Sequence, residues 1–202
     1  MLEYSSISGH IVNIPIKAYP KYDGINVRVK WTKKKNFVNF GARHTLIEET
    51  TPIFGKSVTL WKSKYEKVIS NILSKKNIDQ CILFGEYFGQ NSFAGYLDPS
   101  DSYDLIIFDC AINDKLINQK ELSKLLKGVE ISPILYEGNP SDPFREKVSN
   151  MELEGQTFEG VVCKGDYDNR NKPVMFKVKS KAWYEKLKER CKGDDSLFES
   201  LK

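Results

Sequence analysis

Apolar residues along most of this chain recur at every second position or in short runs, and helical spacing is confined to a few segments. A chain patterned this way must bury one face of a sheet, and it has few helices to do it with. Ile11 to Lys17, Ile25 to Trp31 and Asn36 to Phe40 read as strands, with Lys33-Lys34-Lys35-Asn36 as a polar turn between the last two. Gln80 to Phe88 and Tyr103 to Ile112 are further β-rich runs, separated by the turn-prone stretch Asn91 to Ser102 with Gly95, Asp98 and Pro99. Phe158 to Lys164 and Val174 to Lys179 complete the strands. Leu60, Trp61, Tyr65, Val68, Ile69, Ile72 and Leu73 recur at three and four, which predicts an amphipathic helix from about Val58 lying on one sheet face. Asn118 to Leu126 predicts a second helix, with Asn118 and Glu121 spaced as a capping box and Gly128 ending it. Pro143 to Asn150 and Trp183 to Arg190 also read as helical. The expected class is α+β with mostly antiparallel sheets.

A length of 202 residues is enough to bury a core without disulfides, and a single domain over 1–202 is expected. The chain is 40% hydrophobic and 29% charged, and no apolar run approaches the length a bilayer requires, so no membrane partner is expected. Met1 to Pro20 lacks the basic start, apolar stretch and cleavage site of a secretory signal, which makes a cytoplasmic chain the simple reading. Cys81, Cys110, Cys163 and Cys191 are widely spread, with no paired spacing for zinc or a redox couple. His10 and His44 are isolated, so a histidine metal site or a Ser/His/Asp arrangement has little material. Any metal would meet carboxylates and phosphates. A net charge of +4 permits a polyanionic partner without demanding one.

Chemistry-bearing residues gather in four ordered segments: Lys21-Tyr22-Asp23-Gly24, Phe84-Gly85-Glu86-Tyr87, Phe158-Glu159-Gly160-Val161-Val162-Cys163-Lys164 and Met175-Phe176-Lys177-Val178-Lys179. Taken alone, the first is equally good surface-turn chemistry. Together they suit covalent nucleotidyl transfer. Attack on an α-phosphate needs a free amine, neutralisation of phosphate charge and a divalent ion for the departing pyrophosphate. Lys21 emerges from a loop between strands, and Lys177 and Lys179 share one strand face at period two, where they could grip phosphates and lower the pKa of Lys21. Glu86 and Glu159 stand in apolar strand contexts where an unpartnered carboxylate is costly, although a salt bridge would account for either one.

The segments KYDG, FGEY, FEGVVCK and FKVKSKAW resemble motifs I, III, IV and V of the superfamily of ATP-dependent DNA ligases, RNA ligases and mRNA capping enzymes, over Lys21 to Trp183. The resemblance implies an adenylation domain that holds its nucleotide between two antiparallel sheets. It makes Lys21 the nucleophile that carries AMP, with Asp23 and Gly24 completing its motif, and it makes Lys177 and Lys179 the motif V lysines. It assigns Glu86 to the ribose, Glu159 to magnesium or manganese, and Lys164 to the end of motif IV. Phe108 resembles the aromatic that stacks on the purine, a core phenylalanine being the other reading, and Arg43 resembles an arginine that contacts the nucleotide. ATP is then the AMP donor and nucleic acid, as RNA ends or a nicked duplex, the partner.

Asn26 is like the phage-type nick-sealing RNA ligases, whereas Asp23 departs from them and keeps a DNA ligase or capping guanylyltransferase core in view. About twenty residues follow Trp183, too few for an OB-fold domain. The reading is a minimal ATP-dependent RNA ligase of RNA repair. A non-catalytic nucleic-acid-binding module on the same fold is the alternative of another class.

Overall fold

Among the described residues every ladder between named strands is antiparallel, in line with the mostly antiparallel sheets expected. The computed structural model describes residues 1–167 and 173–202. In chain order these form β1 (Ile16–Pro20), β2 (Ile25–Thr32), β3 (Asn36–Gly41), β4 (Leu46–Ile47), α1 (Gly55–Trp61), a π-helical turn (Lys62–Glu66), α2 (Lys67–Leu73), β5 (Gln80–Gly89), β6 (Tyr103–Ile112), β7 (Lys115–Leu116), α3 (Gln119–Leu125), β8 (Tyr136–Gly138), α4 (Asp142–Ser149), β9 (Gly160–Tyr167), β10 (Pro173–Lys179), α5 (Lys181–Cys191) and α6 (Asp195–Leu201). The chain divides into two compact units. The first comprises Met1–Ser5, Gly24–Ser92 and Tyr96–Ser132, and the second Ser6–Asp23, Phe93–Gly95 and Pro133–Lys202. Among the described residues no helix is long and apolar enough to cross a membrane.

The first unit is built on a six-stranded sheet in the order β4-β3-β2-β5-β6-β7. Alternation on β2 sends Val27, Val29 and Trp31 to one face, where they meet Val58, Trp61, Tyr65, Ile69 and Leu73 from the helices. Trp61, Tyr65, Ile69 and Leu73 follow one another at steps of four, longer than the 3.6 residues of an α-turn. The wider π turn at Lys62–Glu66 absorbs that excess and keeps the stripe facing the sheet. The helical segment begins at Gly55, three residues before the expected start. The predicted capping box is formed: the Asn118 side chain accepts from the Glu121 backbone at 2.9 Å, and the Glu121 carboxylate accepts from the Asn118 N–H at 3.1 Å.

The second unit holds a four-stranded sheet in the order β10-β9-β1-β8. Ile16 and Ala18 pack with Val161, Cys163 and Phe176 and with Phe144 and Val148 of α4. The strand expected at Ile11 to Lys17 is displaced to Ile16–Pro20. Ile11, Val12 and Ile14 instead fill the edge of this core without pairing as a strand, and the Ile14 N–H turns back to the Val12 carbonyl. The strand expected from Phe158 starts at Gly160, because Ser180 binds the carbonyls of Phe158 and Glu159 through its hydroxyl and its N–H. All four cysteines are buried free thiols.

Gly160 opens β9 with φ +129, and a Cβ there would lie 2.2 Å from the Val178 carbonyl oxygen across the ladder. Only glycine tolerates both the backbone conformation and the approach. Gly160→Ala is expected to lower the unfolding free energy by about 3 kcal/mol in urea titrations, and a loss under about 1 kcal/mol would contradict this account.

Candidate active site

Three chain segments of the second unit end at one edge of its sheet because β9 lies between β1 and β10. Pro20 pairs with Val161, and Lys179 pairs with Gly160. Lys21, one residue past β1, Glu159, one residue before β9, and Lys179, the last residue of β10, are therefore brought together by register alone. The Lys21 backbone is clamped: its N–H donates to the Gly160 carbonyl at 3.0 Å, and its carbonyl accepts from the Thr157 hydroxyl.

The side chains converge on one carboxylate oxygen. Lys21 Nζ lies 2.9 Å and Lys179 Nζ 2.8 Å from Oε1 of Glu159. Glu159 and Lys179 keep only 4% of their side-chain surface exposed, against 22% for Lys21, so Lys21 is the member open to solvent. Burial brings the Lys179 ammonium down to about 8, against the attraction of Glu159 and with the positive charges of Lys21 and Lys177 adding to the effect. Asp23 stands beside this cluster, its Oδ1 accepting from the Ala94 N–H at 2.8 Å and its Oδ2 from the Trp183 indole N–H at 2.6 Å. Burial, then the negative charge of Glu159, raises the Asp23 carboxyl above its ordinary value, while the Trp183 bond, Lys21 and the Ala94 N–H act the other way.

The remaining expected residues are distributed differently. Lys177 is half-buried, and its ammonium donates to the Lys202 carbonyl at 2.8 Å. The Lys164 ammonium lies 5.0 Å from the centroid of the Tyr19 ring. Gly24, Arg43, Glu86 and Phe108 belong to the first unit. There Gly24 packs so closely that a Cβ would meet the Tyr87 carbonyl oxygen at 2.3 Å. Glu86 stands opposite Asn26 across β5 and β2. Arg43 is exposed in the turn after β3. Phe108 is the extra residue of a β-bulge, since Phe84 pairs with Asp109 and Gly85 with Ile107. Its ring meets that of Tyr4 edge-on at 5.1 Å, and the Tyr4 hydroxyl donates to Asp109. Arg28 binds the Met1 and Leu2 carbonyls at 3.0 Å each, which ties the amino-terminal residues to this unit.

A model of the family described as RNA ligase matches residues 18–179. The chain belongs to the RNA ligase family. Its fold is similar to the RNA ligase of Naegleria gruberi with PPi, at 18% identity and TM-score 0.62, covering 91% of this chain and 53% of that one. Variants of the same Naegleria enzyme match likewise. One with ATP and Mn gives 18% identity and TM-score 0.60 over 85% of this chain and 51% of that one, and one with AMP and Mn gives 18% and 0.61 over the same shares. The chain thus spans about half the length of the Naegleria RNA ligase. No curated protein matches it.

The motif lysines and carboxylates foretell this charged cluster only in part. Thr157 and the Ala94 N–H shape it from outside the motifs, and Ser180 and Trp183, though within FKVKSKAW, have no role assigned by it. Ser and Thr hydroxyls bonding local backbone leave no periodic signal, and a tryptophan reads as core. Among the described residues no group of three or more His, Cys, Asp or Glu could cage a metal ion. A magnesium-type ion would fit only with phosphate and water oxygens beside Glu159, and that kind of coordination, one or two carboxylates completed by substrate, is usual for Mg²⁺.

The unfolded chain holds the Lys179 proton to its ordinary value of 10.5, whereas the folded one releases it near 8. Between these values the unfolded state binds more protons, so this lysine makes stability rise with pH from about 8 to 10.5 and contributes no slope below that window. In urea unfolding the protein should therefore gain stability relative to Lys179→Met as pH rises from about 8 to 10.5, the difference isolating this lysine from the other groups that titrate there; parallel pH profiles of the two proteins would contradict the assignment.

Proposed function

We propose that the chain is an ATP-dependent RNA ligase that works through a lysyl-AMP intermediate on Lys21. The observation behind this reading is the pair of ammonium groups, Lys21 and Lys179, held within 2.9 Å of one buried carboxylate oxygen. In the first step the unprotonated Lys21 amine attacks the α-phosphorus of ATP. An N–P bond forms, the bond to the bridging oxygen of pyrophosphate breaks, and the amine gives up a proton. AMP then passes to a 5′-phosphate end, which frees Lys21. A 3′-hydroxyl finally displaces AMP to form the phosphodiester.

Glu159 has its Oε1 in range to accept the Lys21 N–H and so aim the nitrogen lone pair. Lys179, nearly buried, supplies positive charge where phosphate oxygens accumulate negative charge, and in a site shielded from water such a fixed charge is most effective. A bound divalent ion would add charge neutralisation at the phosphates and the departing pyrophosphate. The Naegleria RNA ligase with ATP and Mn, with AMP and Mn and with PPi supports this choice of nucleotide and metal. We extend the proposal to Lys177 and Lys164 as phosphate contacts, Glu86 as the ribose contact, Phe108 as the purine platform and Arg43 as a further nucleotide contact, all on the strength of the motif resemblance. The same family supports RNA ends or a nicked duplex as the polynucleotide.

The protein incubated with α-labelled ATP and Mg²⁺ should acquire label that survives denaturation. Lys21→Ala should acquire none, and Lys179→Ala should label about 100-fold more slowly or worse. Label on Lys21→Ala at the wild-type level would end the covalent reading, and label from GTP in place of ATP would shift it toward a guanylyltransferase. Nicked duplexes with RNA or DNA on the 3′-hydroxyl side then report the strand that is sealed.

A further inference from the structure

Trp183 is 1% exposed and packs against Phe93 at 5.5 Å between ring centroids and Tyr184 at 5.6 Å, which by itself describes a core tryptophan at the foot of α5. Its polar and cationic contacts are less ordinary. The indole N–H donates to Oδ2 of Asp23 at 2.6 Å, and the ring centroid lies 3.3 Å from the Lys179 ammonium. A buried indole does not compel such a bond in this chain: the Nε1 atoms of Trp31 and Trp61, equally buried in the first unit, have no hydrogen-bond partner among the described residues.

The backbone around Trp183 is fixed as firmly as its ring. Its N–H donates to the Ser180 hydroxyl at 3.1 Å, the same hydroxyl donates to the Phe158 carbonyl at 2.7 Å, and the Ser180 N–H donates to the Glu159 carbonyl at 3.0 Å. The start of α5, with its cap Ser180, therefore touches the Glu159 main chain, the Lys179 ammonium and the Asp23 carboxylate. A cation over an aromatic face and a carboxylate on an indole N–H are both directional contacts, so one ring sets two opposite charges at once.

We propose that Trp183 is a positioning residue for adenylylation of Lys21, its N–H orienting Asp23 and its face orienting Lys179. The inference rests on the reading of Lys21 as the nucleophile. Trp183 does not touch the reacting atoms; it acts through the two charged groups it holds. Since the ring also fills space, the informative change is Trp183→Phe, which keeps an aromatic face beside Lys179 and removes the donor to Asp23 at the cost of a smaller ring.

The test is single-turnover formation of lysyl-AMP from α-labelled ATP by the full chain, over a range of ATP concentrations. Trp183→Phe should keep the half-saturating ATP concentration within about threefold while the limiting rate falls about 10- to 100-fold, the size expected when a supporting contact is lost and a reacting group drifts. Its loss and that of Asp23→Asn should not multiply, the double variant being about as slow as Asp23→Asn alone. An unchanged limiting rate, or losses that multiply, overturns the proposal while leaving Lys21 as nucleophile; a wild-type protein that takes no label overturns both. Should Trp183→Phe fail to fold, the chain's three indole N–H proton signals decide the matter. One should move in Asp23→Asn and again when wild type is adenylylated, and if none moves the proposal fails.

Discussion

A single carboxylate oxygen holds together the two lysines at one edge of the second unit's sheet. Oε1 of Glu159 accepts from Lys21 and Lys179 at once, in surroundings that leave Glu159 and Lys179 almost no contact with water. Desolvating three charges is expensive, and an interior pair of this kind is seldom the cheapest way to stabilise a fold. Removing one partner would strand the others. The arrangement is better understood as tension kept in register. Two cations stay close to each other only because a carboxylate lies between them, and burial is strong enough that Lys179 holds its proton less firmly than an ordinary lysine.

The sheet supplies the register. Because β9 separates β1 from β10, the residues one step past β1, one step before β9 and at the end of β10 share an edge with no long loop needed to gather them. Gly160 makes the crossing possible, since the chain must pass close to the Val178 carbonyl with a backbone conformation that side chains disfavour. Thr157 and Ser180 then fasten the two sides of the turn to the Lys21 carbonyl and to α5. The geometry of the charged groups is thus inherited from main-chain hydrogen bonds, which are less tolerant of drift than contacts between flexible side chains.

Much of this was legible in the sequence, for a physical reason. β2, β5 and β6 are long, β-rich and largely buried, so their apolar runs define them within a residue or two, and the Asn118–Glu121 box announces α3 directly. Lys21 falls in a loop after a strand and Lys179 ends one, as read from the sequence, whereas Glu159, read inside a strand, lies one residue before β9. The failures have a different origin. Ile11, Val12 and Ile14 are apolar because they plug a core, not because they pair, and a hydrophobic run looks the same in either case. Strands of two or three residues, such as β4, β7 and β8, are too short to show a period. α6 lies among polar residues and buries none of them fully. The contacts of Trp183 depend on a partner 160 residues away in the chain, which no local pattern encodes.

Lys177 and Lys179 show most clearly where periodicity stops informing. Period two puts both on one face of β10, and their charges do sense each other, since Lys177 helps depress Lys179. Their surroundings nevertheless diverge. Lys179 is the last strand residue, where the chain turns into α5, and Trp183 and Glu159 close over it. Lys177, one pleat earlier, has its N–H bonded to the Ser8 carbonyl and its ammonium directed to the Lys202 carbonyl, half-buried rather than enclosed. A strand pattern assigns a face but not a depth, and depth is what turns a lysine from a solvated cation into a perturbed one. Within the pair, Lys179 is the residue whose charge is least screened by water, whereas Lys177 keeps a better-solvated position.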